Sequence, residues 1–246
     1  MAKRKCSHQK PVGEQGPLVV GRVEGEIQAS YVTWLKIKFP NDKESQQKLI
    51  ATVFLDALGA SEGNVWNCEA LREDDFDFSI TCNAERRYLE LQEIVIPPKK
   101  RGNPYIDREQ VVQSGKFADT IWSNILQKQY PTRLELPLDL LIYTTHWRFL
   151  PNQIVRQLVA SMLKSHSHPF ARVYEFSMLS EGKGRFETLY PNDQLLLGLN
   201  EAAARTVRYA NLDQAQARQT GGPDGSIGAR IDLTPSTVKR LFGNER

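Results

Sequence analysis

Two short runs with a period of two, joined by a polar turn, constrain this chain more than any other feature. The first is Asp74-Asp75-Phe76-Asp77-Phe78-Ser79-Ile80-Thr81, and the second runs from Arg87 through Leu89, Glu90, Leu91, Gln92 and Glu93 to Ile96. Side chains alternate across a strand, so Phe76, Phe78 and Ile80 share one face and Asp75, Asp77, Ser79 and Thr81 the other. In the second run Leu89, Leu91 and Glu93 point one way. Tyr88, Glu90, Gln92 and Ile94 point the other. The intervening Cys82 to Arg86 is short enough for an antiparallel hairpin. In that hairpin Asp75 or Asp77 lies on the face of Glu90 and Gln92, and registers two residues apart keep either beside Glu90. Acids from adjacent strands then converge where one face should be core. Alternating acid on a solvated strand edge is the plainer use of such a pattern, but it leaves Glu90 to be explained separately.

The flanking sequence supplies further elements. Residues 17–39 read as strand material, from Pro17 to Val20 and from Tyr31 to Phe39. Asn41 or Asp42 caps a helix in which Leu49, Ile50, Val53, Phe54, Ala57 and Leu58 recur at helical spacing, and Gly59 ends it. Gln46 falls near the centre of its apolar face, whereas Glu44 points away. Val65 to Leu71 reads as a strand. A second helix begins near Ser114, its buried face marked by Phe117, Ala118, Ile121, Trp122, Ile125 and Leu126. Leu138 to Thr145 is nearly all apolar, as in a strand covered on both faces. Pro151 suits the first position of a third helix, whose apolar face runs from Ile154 to Leu163. A strand from Phe170 to Met178 follows. Strand, helix and strand over 138–178 predict a right-handed crossover between parallel strands. Beyond Ser180, Asn192 to Leu212 looks helical, residues 213–230 read as loop, and Thr234-Pro235 opens a last helix over Ser236 to Phe242.

Composition narrows the function. The 246 residues suffice for one large domain with appendages, divided here as a basic arm (1–16), an α/β core (17–180) and a C-terminal helical and loop extension (181–246). No apolar run approaches a membrane span, and no signal-peptide pattern follows the basic start. The three cysteines, Cys6, Cys68 and Cys82, are few and scattered, which fits a reducing cytoplasm rather than a disulfide framework or a zinc site. A net charge of +3 excludes a polycation, so any nucleic-acid contact must come from local patches. One such patch is the loop Lys99-Lys100-Arg101 just after the second run, with Tyr105 as a residue that can stack on a base or sugar.

The order helix, strand, strand, strand, helix, strand, helix, strand over residues 41–178, together with Glu90-Leu91-Gln92, resembles the PD-(D/E)XK nuclease superfamily. That family carries an Asp at the opening of one strand and Asp or Glu, any residue, then Lys on the next. Glu90 takes the acid position here, and Gln92 stands where the lysine is usual. The resemblance implies an α/β fold with a mixed central sheet flanked by helices on both faces, as in restriction endonucleases. It implies a hydrolase that cleaves nucleic-acid phosphodiesters, DNA in preference to RNA, in defence or repair. Mg²⁺ or Mn²⁺ would be held by Asp75 or Asp77 and Glu90, since Mg²⁺ favours carboxylate oxygens and completes its shell with water and substrate phosphate. Gln92 would position the attacking water, and Gln46 would stand in for an acid the family often places on its first helix. Lys99, Lys100, Arg101 and Tyr105 would border the substrate groove.

Gln92 is the main departure, since glutamine can hydrogen-bond a water but carries no charge. Lys116 and Lys128 are poor replacements, one opposite the apolar face of its helix and the other at its edge. Two rivals therefore accompany the nuclease reading. One is a nuclease-fold module that binds nucleic acid or a protein partner, or forms a homodimer, without catalysis. The other is a protein–protein scaffold with a merely solubilising acidic face. His166 and His168 close a helix and have no third metal ligand at suitable spacing.

Overall fold

The structure is a computed structural model of the full chain. It describes residues 18–23, 26–31, 37, 39–71, 76–95, 111–127, 130, 134–146, 149–211, 217–221, 227–231 and 235–242. In chain order the elements are β1 (Leu18–Val23), β2 (Glu26–Tyr31), α1 (Lys43–Glu62), β3 (Asn67–Ala70), β4 (Phe78–Cys82), β5 (Glu85–Glu93), β6 (Val111–Gln113), α2 (Ser114–Leu126), β7 (Leu138–Thr144), α3 (Gln153–Ser165), β8 (Phe170–Ser180), β9 (Lys183–Tyr190), α4 (Glu201–Thr206), β10 (Arg208–Asn211), β11 (Ala217–Gly221), β12 (Ile227–Ile231) and α5 (Pro235–Phe242). A central sheet runs β3-β4-β5-β7-β8-β9. Its β5–β7 and β7–β8 pairs are parallel, and β3–β4, β4–β5 and β8–β9 are antiparallel. The fold is therefore α/β with a mixed sheet, and the crossover expected over 138–178 joins parallel strands.

Two apolar cores cover the two faces. On one, α1 lays Ile50, Val53, Phe54 and Leu58 over Phe78, Ile80, Leu89, Leu91 and Leu141. On the other, α2 and α3 bury Phe117, Ile121, Val155, Leu158 and Val159 against Leu138, Leu140, Ile142 and Val173. Every residue of β7 is buried, as a central strand between two cores requires. A second sheet, β2-β1-β10-β6, and a β11–β12 ribbon complete the architecture, with α5 packed on β10, β1 and β6.

Several boundaries differ from expectation for physical reasons. Helix α1 is capped by Asp42, whose carboxylate accepts from the Ser45 N–H at 2.7 Å. It runs through Gly59 and stops at Gly63, which adopts φ 69°, a left-handed turn that glycine makes without strain. Pro151 is not the first helical residue of α3. Asn152 is the cap, its side-chain oxygen accepting from the Val155 N–H at 2.9 Å. Leu126 was expected on the buried face of α2 but is 54% exposed, because it is the last residue of the helix. Tyr31 is the last residue of β2, and most of the strand expected from there to Phe39 lies outside the described residues.

The C-terminal segment differs most. Where Asn192 to Leu212 reads as helix there are a 3-10 turn at Gln194–Leu196, the short α4 and the strand β10. Where 213–230 reads as loop, β11 and β12 pair as a hairpin. β9 adds a strand to the central sheet, so this segment is not mainly helical or loop. Gly184 of β9 sits against the Phe176 ring, which is fully buried, and a Cβ there would overlap the ring. Gly184→Ala should destabilise the protein by about 1–3 kcal/mol, the usual cost of forced overpacking, read as a lower urea midpoint.

Candidate functional site

The alternating runs form the β4–β5 hairpin, with Phe78 opposite Leu89 and Cys82 opposite Glu85. Its loop is only Asn83-Ala84, tighter than expected, with Asn83 at φ 54°. Asparagine tolerates that left-handed conformation better than most residues. Phe78, Ile80, Leu89 and Leu91 all face the α1 core, as the alternation demands. Glu90 and Gln92 stand on the opposite face, beside Leu140 and Ile142 of β7.

Phe76 departs from the pattern. It joins the other core and stacks on Tyr88, with ring centroids 4.4 Å apart at 25°. The cause is local: β4 begins only at Phe78, and Asp77 occupies a bend, so the strand alternation does not extend back to Phe76. The same bend redirects Asp77. Its Oδ2 accepts from the Leu91 N–H at 2.8 Å, and its Oδ1 accepts from Gln47 Nε2 at 3.3 Å. The carboxylate thus takes a backbone donor of β5 just where β4 no longer runs beside it. Asp77 therefore lies at the sheet end, not on the face of Ser79. Its negative field acts on both sides. It helps push up the phenol pKa values of Tyr130, whose ring packs on Phe170, and Tyr143 in the α1 core, although burial is the larger cause at each.

Glu90 is buried, at 4% exposure, and its carboxylate reaches the Asp77 main chain. Glu90 Oε2 accepts from the Asp77 N–H at 3.4 Å. The Glu90 side chain therefore meets the Asp77 backbone where β4 parts from β5. Asp75 lies outside the described residues, as do Lys99, Lys100, Arg101, Tyr105 and Lys128. Lys116 is exposed on α2.

Gln92 is half-buried, and its amide nitrogen donates to the carbonyl of neighbouring Glu93 at 3.3 Å. Gln46 does face the core, as expected, and its amide acts against the burial that pushes up the Tyr143 phenol pKa. The helix residue that reaches Asp77 is Gln47, on the flank of the apolar stripe, where periodicity gives no reason to select it. Glu93 is half-buried on the α1 side. It accepts from Thr145 Oγ1 at 2.5 Å, which makes it more than a loose strand-end charge. The histidines close α3 as expected: His166 Nδ1 lies 2.9 Å from the Met162 carbonyl oxygen and His168 Nε2 3.0 Å from that of Leu163.

Among the described residues, no cluster of three or more His, Cys, Asp or Glu side chains is arranged to hold a metal ion. Asp77 and Glu90 are the two carboxylates of the expected site that lie among the described residues. That composition still suits Mg²⁺, which typically takes one or two protein carboxylates and leaves its other positions to water and phosphate. No cation pairs with Asp77 among the described residues. Its two acceptor bonds leave lone pairs to spare.

No protein-family model matches the chain. No curated protein matches it. Among solved structures it is similar to Pyrococcus furiosus SfsA in complex with Ca²⁺, at 12% identity and a TM-score of 0.28, over 74% of this chain and 97% of that one. Similarity at that level assigns neither family nor function. No described helix is long and apolar enough to cross a membrane.

Proposed function

We propose that the protein is a divalent-metal-dependent phosphodiesterase acting on nucleic acid, DNA in preference to RNA, with Asp77 and Glu90 as metal ligands. The observation that carries this is the Glu90 carboxylate reaching the Asp77 backbone at the opening between β4 and β5, 3.4 Å from the Asp77 nitrogen to Glu90 Oε2. Mg²⁺ or Mn²⁺ bound there supplies polarisation of the phosphate and a water made nucleophilic near neutral pH. The chain's own groups set the geometry. The Leu91 N–H and the Gln47 amide aim the Asp77 carboxylate, and the Asp77 N–H fixes the Glu90 carboxylate. Gln92 turns from the Glu93 carbonyl to hold the attacking water. Lys99, Lys100 and Arg101, which follow β5 in sequence, supply phosphate contacts that give affinity without sequence choice.

A second reading is a nuclease fold that binds nucleic acid without cutting it. Gln92 favours it, because an uncharged amide already bonded to its neighbour's carbonyl cannot replace a lysine's charge. Cleavage of single- and double-stranded DNA and RNA, titrated with Mg²⁺ and Mn²⁺, tests both. Gln92→Ala should lower the rate by up to about a hundredfold, the low end for a positioned acid–base group, and leave metal affinity intact. Gln92→Lys should hold or raise it by placing charge beside the developing negative charge. An inert wild type with an active Gln92→Lys would establish the second reading. No nucleic-acid binding even at low salt would exclude both and leave the scaffold.

A further inference from the structure

The last elements of the chain carry charge of one sign. β10, β11, β12 and α5 hold Arg208, Arg218, Arg230, Lys239 and Arg240 and no Asp or Glu. The acids of that stretch, Asp213, Asp224, Asp232 and Glu245, all fall between or beyond the elements. Overall composition does not dictate this, since the whole chain has 32 Lys and Arg against 29 Asp and Glu. In α5 Thr237 and Leu241 are buried, whereas Lys239 and Arg240 are exposed. Arg208 Nη1 donates to the Arg240 carbonyl at 3.1 Å, which brings a third cation to that end of the helix.

β11 and β12 pair only with each other, as a two-stranded sheet. Neither strand packs on another described element as it does on its partner. A lone two-stranded ribbon is marginal in water and calls for a further surface to rest on. Its register sets Arg218 directly opposite Arg230. Opposed residues share a face, so one face of the ribbon carries both arginines with Thr220 and Gly228. Like charges directly opposite each other destabilise an antiparallel pair. An anionic partner lying along that face removes the penalty.

We propose that the β11–β12 ribbon is a nucleic-acid arm that lies in the major groove of duplex DNA, with Arg218 and Arg230 on the flanking phosphates. The proposal rests on nucleic acid being the substrate of the site on β4 and β5. The shape of the ribbon selects the duplex. Paired strands stand about 4.8 Å apart, and a groove about 12 Å wide admits them. Single-strand binders stack bases on aromatic side chains, and neither ribbon strand contains an aromatic residue. Residues 232–234 alone separate β12 from α5, so α5 begins within about 15 Å of the ribbon. Its exposed Lys239 and Arg240 extend the same cationic surface.

Fluorescence anisotropy of the full chain on a labelled duplex of random sequence, over a range of salt, tests this. Each phosphate contact contributes about 0.9 to the slope of log affinity against log salt. Arg218→Ala combined with Arg230→Ala should therefore flatten the slope by about 2 and weaken binding at low salt. Arg218→Lys combined with Arg230→Lys keeps both charges and should keep the slope. The alanine pair also removes opposed like charges, so its urea midpoint should be no lower than that of wild type. An unchanged slope in the alanine pair overturns the proposal and leaves the Asp77–Glu90 reading standing. A wild type that binds no duplex overturns both. Loss of binding to phosphatidylserine vesicles, with duplex binding intact, would assign the face to a membrane and overturns the proposal as well.

Discussion

Glu90→Gln should lower metal-dependent cleavage by more than about a hundredfold while leaving the metal-free protein at least as stable as wild type. Loss of a group that merely orients a metal ligand costs about ten- to a hundredfold, so loss of a ligand's charge should exceed that range. Glutamine keeps the shape of Glu90 and an oxygen to accept from the Asp77 N–H. It also removes a charge from a side chain that is buried, at 4% exposure, where an ionised group is costly. Asp77→Asn should be as damaging to cleavage but different in stability. The Asp77 carboxylate accepts from both the Leu91 N–H and the Gln47 amide, whereas asparagine accepts through one oxygen only. A melting temperature lower by the equivalent of about 1 kcal/mol is expected, held to that because the Gln47 amide can turn over. A titration of rate and affinity with Mg²⁺ and Mn²⁺ checks the pair. Wild-type cleavage and metal affinity in Glu90→Gln would remove the site from this hairpin.

The hairpin was legible because its apolar residues sit on one face of a half-buried pair. Leu89 and Leu91 alternate with Glu90 and Gln92, and the α1 core selects between them. The Asp77 side chain was legible as an acid near Glu90 but not in its direction. That depends on the bend before β4, which a pattern of residue types does not encode. Gln47 was missed for a related reason. It lies beside the apolar stripe of α1, and only the tertiary position of Asp77 gives it a partner.

β9 was missed because charge hides its pattern. Arg185 and Glu187 look like surface residues, yet both are half-buried, Arg185 within the field of Arg156 and Glu175, and Glu187 paired with Arg156. The strand β10 follows the Ala202-Ala203-Ala204 run, whose helix propensity is honoured only through Thr206. From Arg208 onward, pairing with β1 and β6 overrides the propensity, and that pairing spans most of the chain.

Asp139 is the residue that the apolar reading of β7 passed over, and it should give the protein a pH-dependent stability. It is 1% exposed in the central strand. Arg87 lies 3.3 Å away, and the charge of Arg172 also reaches it. Burial nevertheless outweighs both cations and pushes its pKa up from 3.8 to about 6. Between those values the folded protein holds a proton that the unfolded chain has released. Stability from this group is therefore complete below the unfolded pKa and is lost as pH rises through about 6. The loss amounts to about 3 kcal/mol. Asp139→Asn mimics the protonated form and should erase that slope. Arg87 keeps its ion pair with Glu85, so the substitution does not leave a guanidinium bare. Urea unfolding of both proteins from pH 4 to pH 8 should give nearly equal stabilities at pH 4. By pH 8 the variant should be more stable by up to about 3 kcal/mol. Parallel curves over the whole range would mean that Asp139 stays ionised throughout, with Arg87 compensating its burial in full.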